Sequence, residues 1–180
     1  MSAATAVDEM LQLCGSFLLP LAFPFQSAAE FQSRLRASGD ARQLFPGAPA
    51  PEAALAGLWL LAGDFDRSHS IAQEIHTPDG SYWHAILHRM EPDAANAGYW
   101  YRRVGQHPIF PALARHAGLS QWDPFAFIQR CERARLAPGS AEENELRRIA
   151  TFEWQLLFAH CAGREPGPLL QPSEVSGVSD

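Results

Sequence analysis

The side chains able to do chemistry crowd into one stretch, from His69 to His107. Five of the seven histidines, all three tyrosines and two of the five tryptophans lie inside it. Titratable and polar groups are costly to bury without partners, so such clustering points to a site more than to a core. His69, Gln73 and His76 have i, i+4, i+7 spacing, and so do His84, His88 and Glu91. On a helix that spacing puts each trio on one face. Between the trios, Thr77-Pro78-Asp79-Gly80 is a strong turn signal. An antiparallel hairpin folded there brings His69, His84 and His88 together between two helices, with Asp66 and Glu91 in reach.

Three imidazoles and a carboxylate suit Zn, Fe, Mn or Ni, with a coordination position left open for water or substrate. The expectation is a divalent metal on His69, His84 and His88, with Glu91 as fourth ligand or catalytic base. The HxxxH spacing also occurs without metal, and there is no HExxH to supply a base at position 85. A metal-free polar pocket and plain helix packing account for the same pattern.

Arg89, Arg102 and Arg103 flank the histidines. Pointing inward, they would grip an anionic ligand with their planar forks; pointing outward, Arg102 and Arg103 merely suit the C-terminal end of a helix dipole. Tyr99 shares a helix face with Asn96 and Arg103, and His107 lies in the loop that follows. Arg89, Tyr99, Arg102, Arg103 and His107 are therefore the expected ligand-binding residues. Core packing is the expected job of Trp83, Trp100 and Trp154. No glycine-rich phosphate loop or dinucleotide fingerprint is present, so no nucleotide cofactor is expected. Ser68, Ser70 and Ser81 lack a nucleophile-elbow setting.

The block His69-Ser-Ile-Ala-Gln73 and Gly80-Ser-Tyr-Trp-His-Ala-Ile-Leu-His-Arg-Met-Glu-Pro-Asp93, with Asn96-Ala97 and Tyr99-Trp-Tyr-Arg-Arg-Val-Gly-Gln-His-Pro108, resembles the signature of a family of small uncharacterised bacterial and fungal proteins. The resemblance covers the middle of the chain and implies no particular activity.

The elements that must position these residues read as helices. Val7, Met10, Leu11, Cys14, Phe17 and Leu18 predict an amphipathic helix over 5–19. Ser27 with Glu30 reads as a capping box for a helix carrying Phe31 and Leu35 inward. Pro51 opens a long helix reaching Ile75, and Ser81 is the expected N-cap of a short helix ending at Met90. Asp93 caps 94–104, a short helix follows over 109–117, and Asp123-Pro124 opens 125–136. A last helix over 141–161 starts with three glutamates, which suit the positive end of its dipole. Period-2 alternation is absent. The expected fold is all-α: a compact bundle of about seven helices without a sheet, as a single domain over 1–163 followed by a Pro/Gly/Ser-rich tail over 164–180.

With 180 residues, 47% hydrophobic and 19% charged, the chain has the composition of a soluble globule able to bury a core. A net charge of -6 gives no footprint for nucleic acid and disfavours anionic membrane surfaces. Cys14, Cys131 and Cys161 form no CxxC pair and read as buried reduced thiols. The apolar run near the N-terminus carries Asp8 and Glu9 where a signal peptide has basic residues, so a cytoplasmic protein is expected. The functional expectation is a His/Arg/Tyr-lined pocket, as a metal-dependent enzyme acting on a small molecule. The alternatives are a metal-free binder of an anionic small metabolite, or a structural or partner-binding domain. A homo-oligomer is left open.

Overall fold

The computed structural model describes residues 3–14 and 18–166. Among these the chain is all-α, in ten helices with no strand. They are α1 (Ala3–Gln12), α2 (Ala29–Ala37), α3 (Ala41–Leu44), α4 (Pro51–Leu61), α5 (Phe65–Glu74), α6 (Pro78–Met90), α7 (Ala94–Val104), α8 (Phe110–His116), α9 (Pro124–Ala134) and α10 (Ala141–Ala162).

Two helices beyond the eight segments read from the sequence come from one split and one added turn. The helix expected from Pro51 to Ile75 is two helices, α4 and α5. Gly63 has φ +75°, and a Cβ there would lie 2.6 Å from the Phe25 carbonyl oxygen. Asp64 then caps α5 by accepting the N–H of Arg67. A glycine in the left-handed region followed at once by an Asp cap ends one helix and starts the next. The connector before Pro51 also holds the one-turn α3, whose Asp40 cap accepts the N–H of Gln43.

Other boundaries shift for similar reasons. Ser27 is not a cap: its hydroxyl donates to the Ala62 carbonyl, and α2 starts after Ala28 without a side-chain cap. Phe31 and Leu35 are buried as expected. The N-terminal helix ends at Gln12 rather than continuing to residue 19; residues 15–17 lie outside the described residues, and Leu19 is in irregular chain with its N–H bonded to Thr151 Oγ1. The Thr77–Gly80 turn is the first turn of α6, since Thr77 is the N-cap accepting the N–H of Gly80 and Pro78 is the first helical residue. Ser81 is buried inside that helix. By contrast Asp93, Asp123 and Ser140 cap α7, α9 and α10. Of the expected tail, Arg164 ion-pairs with Asp8, and 167–180 lie outside the described residues. No helix of the described residues is long and apolar enough to cross a membrane.

Helix α6 runs through the middle of the molecule. Every residue from Gly80 to Met90 is buried, against α4, α5 and α7. Its approach to α4 is close because Gly57 lacks a side chain: a Cβ there would meet Trp83 at 2.7 Å. A helix buried all round must find partners for each of its polar groups. Arg89 donates to Glu153 Oε2 (2.6 Å) and to the hydroxyl of Tyr101 (2.9 Å). The hydroxyls of Tyr82 and Tyr101 both donate to Glu153 Oε1 at 3.0 Å. The Arg89 guanidinium also lies over the Phe127 ring, 4.6 Å from its centroid. One ion pair thereby ties α6, α7, α9 and α10 together.

Removing one member strands the other charge in the core. Glu153→Leu is expected to lower unfolding stability by about 3–5 kcal/mol, read as a fall in the urea midpoint.

Candidate metal centre

The hairpin of α5 and α6 brings the three histidines together. His69 Nε2 lies 2.8 Å from His84 Nε2, and the His88 ring is 5.4 Å from that of His69 and 4.9 Å from that of His84. One ring nitrogen of each falls within 4.8 Å of the other two. A tetrahedral ion at about 2.0–2.1 Å from its ligands separates them by about 3.3 Å, inside the range these nitrogens span. His69 sits opposite His84 because the chain reverses at Ile75–Thr77, between the end of α5 and the start of α6. Had the helix begun at Ser81, His88 would have been the residue at its level.

Aromatic rings wall the cluster. Trp100 stacks on His84 with centroids 4.0 Å apart, and Phe65 stacks on His69 at 5.4 Å. Helices α4 and α5 meet at the Gly63 break, and that break is what brings Phe65 into the first turn of α5. Trp100 is half-buried, packing against the hydrophobic core as expected and also forming part of the site wall.

Burial first, then the neighbouring His69 and His88, push the His84 pKa down to about 3. His69 is lowered by the same two effects, burial and then His88, partly offset by Glu91 and Asp66. Both imidazoles are thus held neutral near pH 7, the form that binds metal. Glu91 Oε2 lies 3.0 Å from His88 Nδ1. A carboxylate there accepts a hydrogen bond from Nδ1–H and leaves Nε2 bare for a ligand. His84 Nδ1 is buried and has no hydrogen-bond partner among the described residues. With no ion bound, the 2.8 Å contact between His84 Nε2 and His69 Nε2 needs an Nε2–H on one of the two rings, and no bond at His84 Nδ1 fixes which.

A second titratable group differs on that point. Asp79 Oδ1 lies 3.0 Å from His107 Nε2 and 3.3 Å from His160 Nε2, drawing α6, the α7–α8 loop and α10 together. These atoms could also hold an ion. But His107 Nδ1 accepts the N–H of Ile109, so the ring proton sits on Nε2 and goes to Asp79. That bond, the largest cause, lowers the Asp79 pKa. The arrangement serves as a hydrogen-bonded clamp in which only His107 is fully buried.

The remaining expected site residues scatter. Arg89 is consumed by Glu153, and His107 by Asp79. Tyr99 is exposed on α7, with Arg103 lying over both it and Trp100. Arg102 is exposed and faces away toward α9, lining a cavity that none of the three histidines lines. Gln73 and His76 are exposed, so the His69/Gln73/His76 face does not continue into the cluster. Glu153 and His160 are functional residues that the sequence reading does not single out. A lone acid in an apolar stripe was the available signal for the first; nothing in sequence separated by so many residues links Asp79 to His160. Cys131 and Cys161 are buried free thiols, while Cys14 is only partly buried. Burial raises the thiol pKa values of Cys14 and Cys131 to about 11.

No family model, curated protein or solved structure matches this chain.

A histidine held neutral in the folded state takes up protons only on unfolding. Its stabilisation is complete above pH about 6.5 and is lost as pH falls from there toward 3. Metal-stripped protein should lose urea resistance progressively between pH 7 and 4. His84→Phe, which keeps a ring against Trp100, should show a shallower decline over that interval.

Proposed function

We propose that this protein is a metal-dependent enzyme acting on a small molecule, with one divalent ion of the Zn class held by His69, His84 and His88. The observation that carries the reading is the convergence of three imidazole nitrogens within 4.8 Å. Support comes from two of the imidazoles being held neutral by burial and mutual proximity. Three protein ligands leave one tetrahedral position open, as catalytic rather than structural sites do. The ion would supply Lewis-acid polarisation and water activation near neutral pH.

The chain's own residues divide the remaining work. Glu91, expected as ligand or base, is assigned here to orient His88 through Nδ1. Asp66 is exposed beside His69 and contributes negative potential at the open side. Trp100 and Phe65 exclude water from the faces of the rings they stack on.

Protein purified without a histidine tag should hold about one equivalent of divalent metal, measured by plasma mass spectrometry. His84→Ala should hold none, and Glu91→Gln should bind zinc about 10–100-fold more weakly. Loaded but not chelator-stripped protein should hydrolyse members of a panel of activated small esters and amides. Failure of zinc, iron, manganese and nickel alike to bind would overturn the metal centre. Binding without any turnover would leave a metal-binding protein and sink the enzymatic part.

A further inference from the structure

Arg102 leads to a different site. A cavity of about 470 Å³ lies between the end of α7 and the start of α9, lined among others by Arg102, Gln106, Phe110, Trp122 and Phe125. Two smaller recesses adjoin it: one of about 380 Å³ shares Arg102 and Phe125, and one of about 190 Å³ shares Gln106, Phe110 and Trp122. Small-molecule sites commonly span about 300–1,000 Å³ and combine apolar walls with a few polar groups.

Two groups here lack partners. Trp122 is only 5% exposed, yet its indole N–H finds no acceptor among the described residues. A buried donor left unpaired is costly, and Trp122 is also a lining residue of the cavity. Arg102 is exposed and makes no ion pair among the described residues. The carboxylate at the rim, Asp123, is already committed: it accepts the N–H groups of Phe125 and Ala126 at the start of α9. Glu132 lines the 380 Å³ recess together with Arg102 and Phe125. Ala94, Ala95 and Gly98 form the α7 side of that recess and keep its surface low.

A planar guanidinium beside aromatic walls selects an anion attached to a flat ring. An inorganic anion would leave Phe110 and Phe125 wetted, and a cation would meet Arg102. We infer that this cavity binds a small aromatic carboxylate, its carboxylate on Arg102 and its ring against Trp122 and Phe125. The inference is independent of the metal centre.

Isothermal titration of the intact chain with 1-naphthoate tests it, with 1-naphthalenemethanol and acetate as comparison probes. Saturable 1:1 binding of 1-naphthoate is expected, with each comparison probe at least about 10-fold weaker. Arg102→Gln, at an exposed position, should keep the parent melting temperature and lose about 10-fold or more in affinity. In 1H–15N spectra the Trp122 indole resonance, assigned by its loss in Trp122→Phe, should move on titration. Chelator treatment and His84→Ala should leave the affinity unchanged. Absence of saturable binding, parent-like affinity in Arg102→Gln, or loss of binding on metal removal would each overturn the inference. The last outcome would place the probe at the histidines instead.

Discussion

The ion pair between Arg89 and Glu153 is the constraint on which the arrangement depends. Both side chains are out of water, at 3% and 0% exposure, so neither can be left alone in the core. Helix α6 turns by about 100° per residue. Tyr82 and Arg89, seven positions apart, therefore share one face, and both bond to Glu153 of α10. Fixing that face fixes the rotation of the whole helix. His84 and His88 fall on the opposite side, toward α5 and His69. A helix anchored by apolar contacts alone could rotate and repack at small cost, whereas a salt-bridged one cannot.

Within that frame, the histidines of this protein do different jobs because their second nitrogens are treated differently. His107 has Nδ1 occupied by a backbone N–H, so its Nε2 proton is committed to Asp79. His88 has a carboxylate on Nδ1, which frees Nε2. His84 has nothing on Nδ1, and its neighbours are two more imidazoles. Tautomer control by the outer partner, rather than the presence of imidazole, separates a clamp from a ligand set. Two uncharged rings next to a third form a group that could hold a metal ion. Trp100 and Phe65 stack on two of the rings, while Glu91 and Asp66 act from the edge of the cluster.

The residues expected to share one pocket are distributed over distinct environments. The histidine cluster faces α5, the Arg89 network faces α10, and Arg102 faces the cavity beside α9. Helix α7 contributes to all of these through successive residues: Trp100 at the histidines, Tyr101 in the ion-pair network and Arg102 at the cavity. Adjacent residues on a helix point in different directions, so a run of aromatic and basic residues cannot line a single wall.

The all-α character, the caps at Asp93 and Asp123, and the meeting of His69 with His84 and His88 were all readable from the chain alone. Each rests on local rules: helical period, short-range capping and the reach of a hairpin across a few turns. The Gly63–Asp64 break and the Thr77 cap were equally local, but the apolar period running through Gly63 and the turn chemistry of Pro78-Asp79-Gly80 masked them. Tertiary structure decided the rest. It assigned Arg89 to Glu153, His107 to Asp79 and Arg102 to the cavity, because the partner in each case lies on a separate helix or loop. Spacing states which side chains share a face of their own helix. Only packing decides what that face meets, since a buried charge takes whichever distant group can satisfy it.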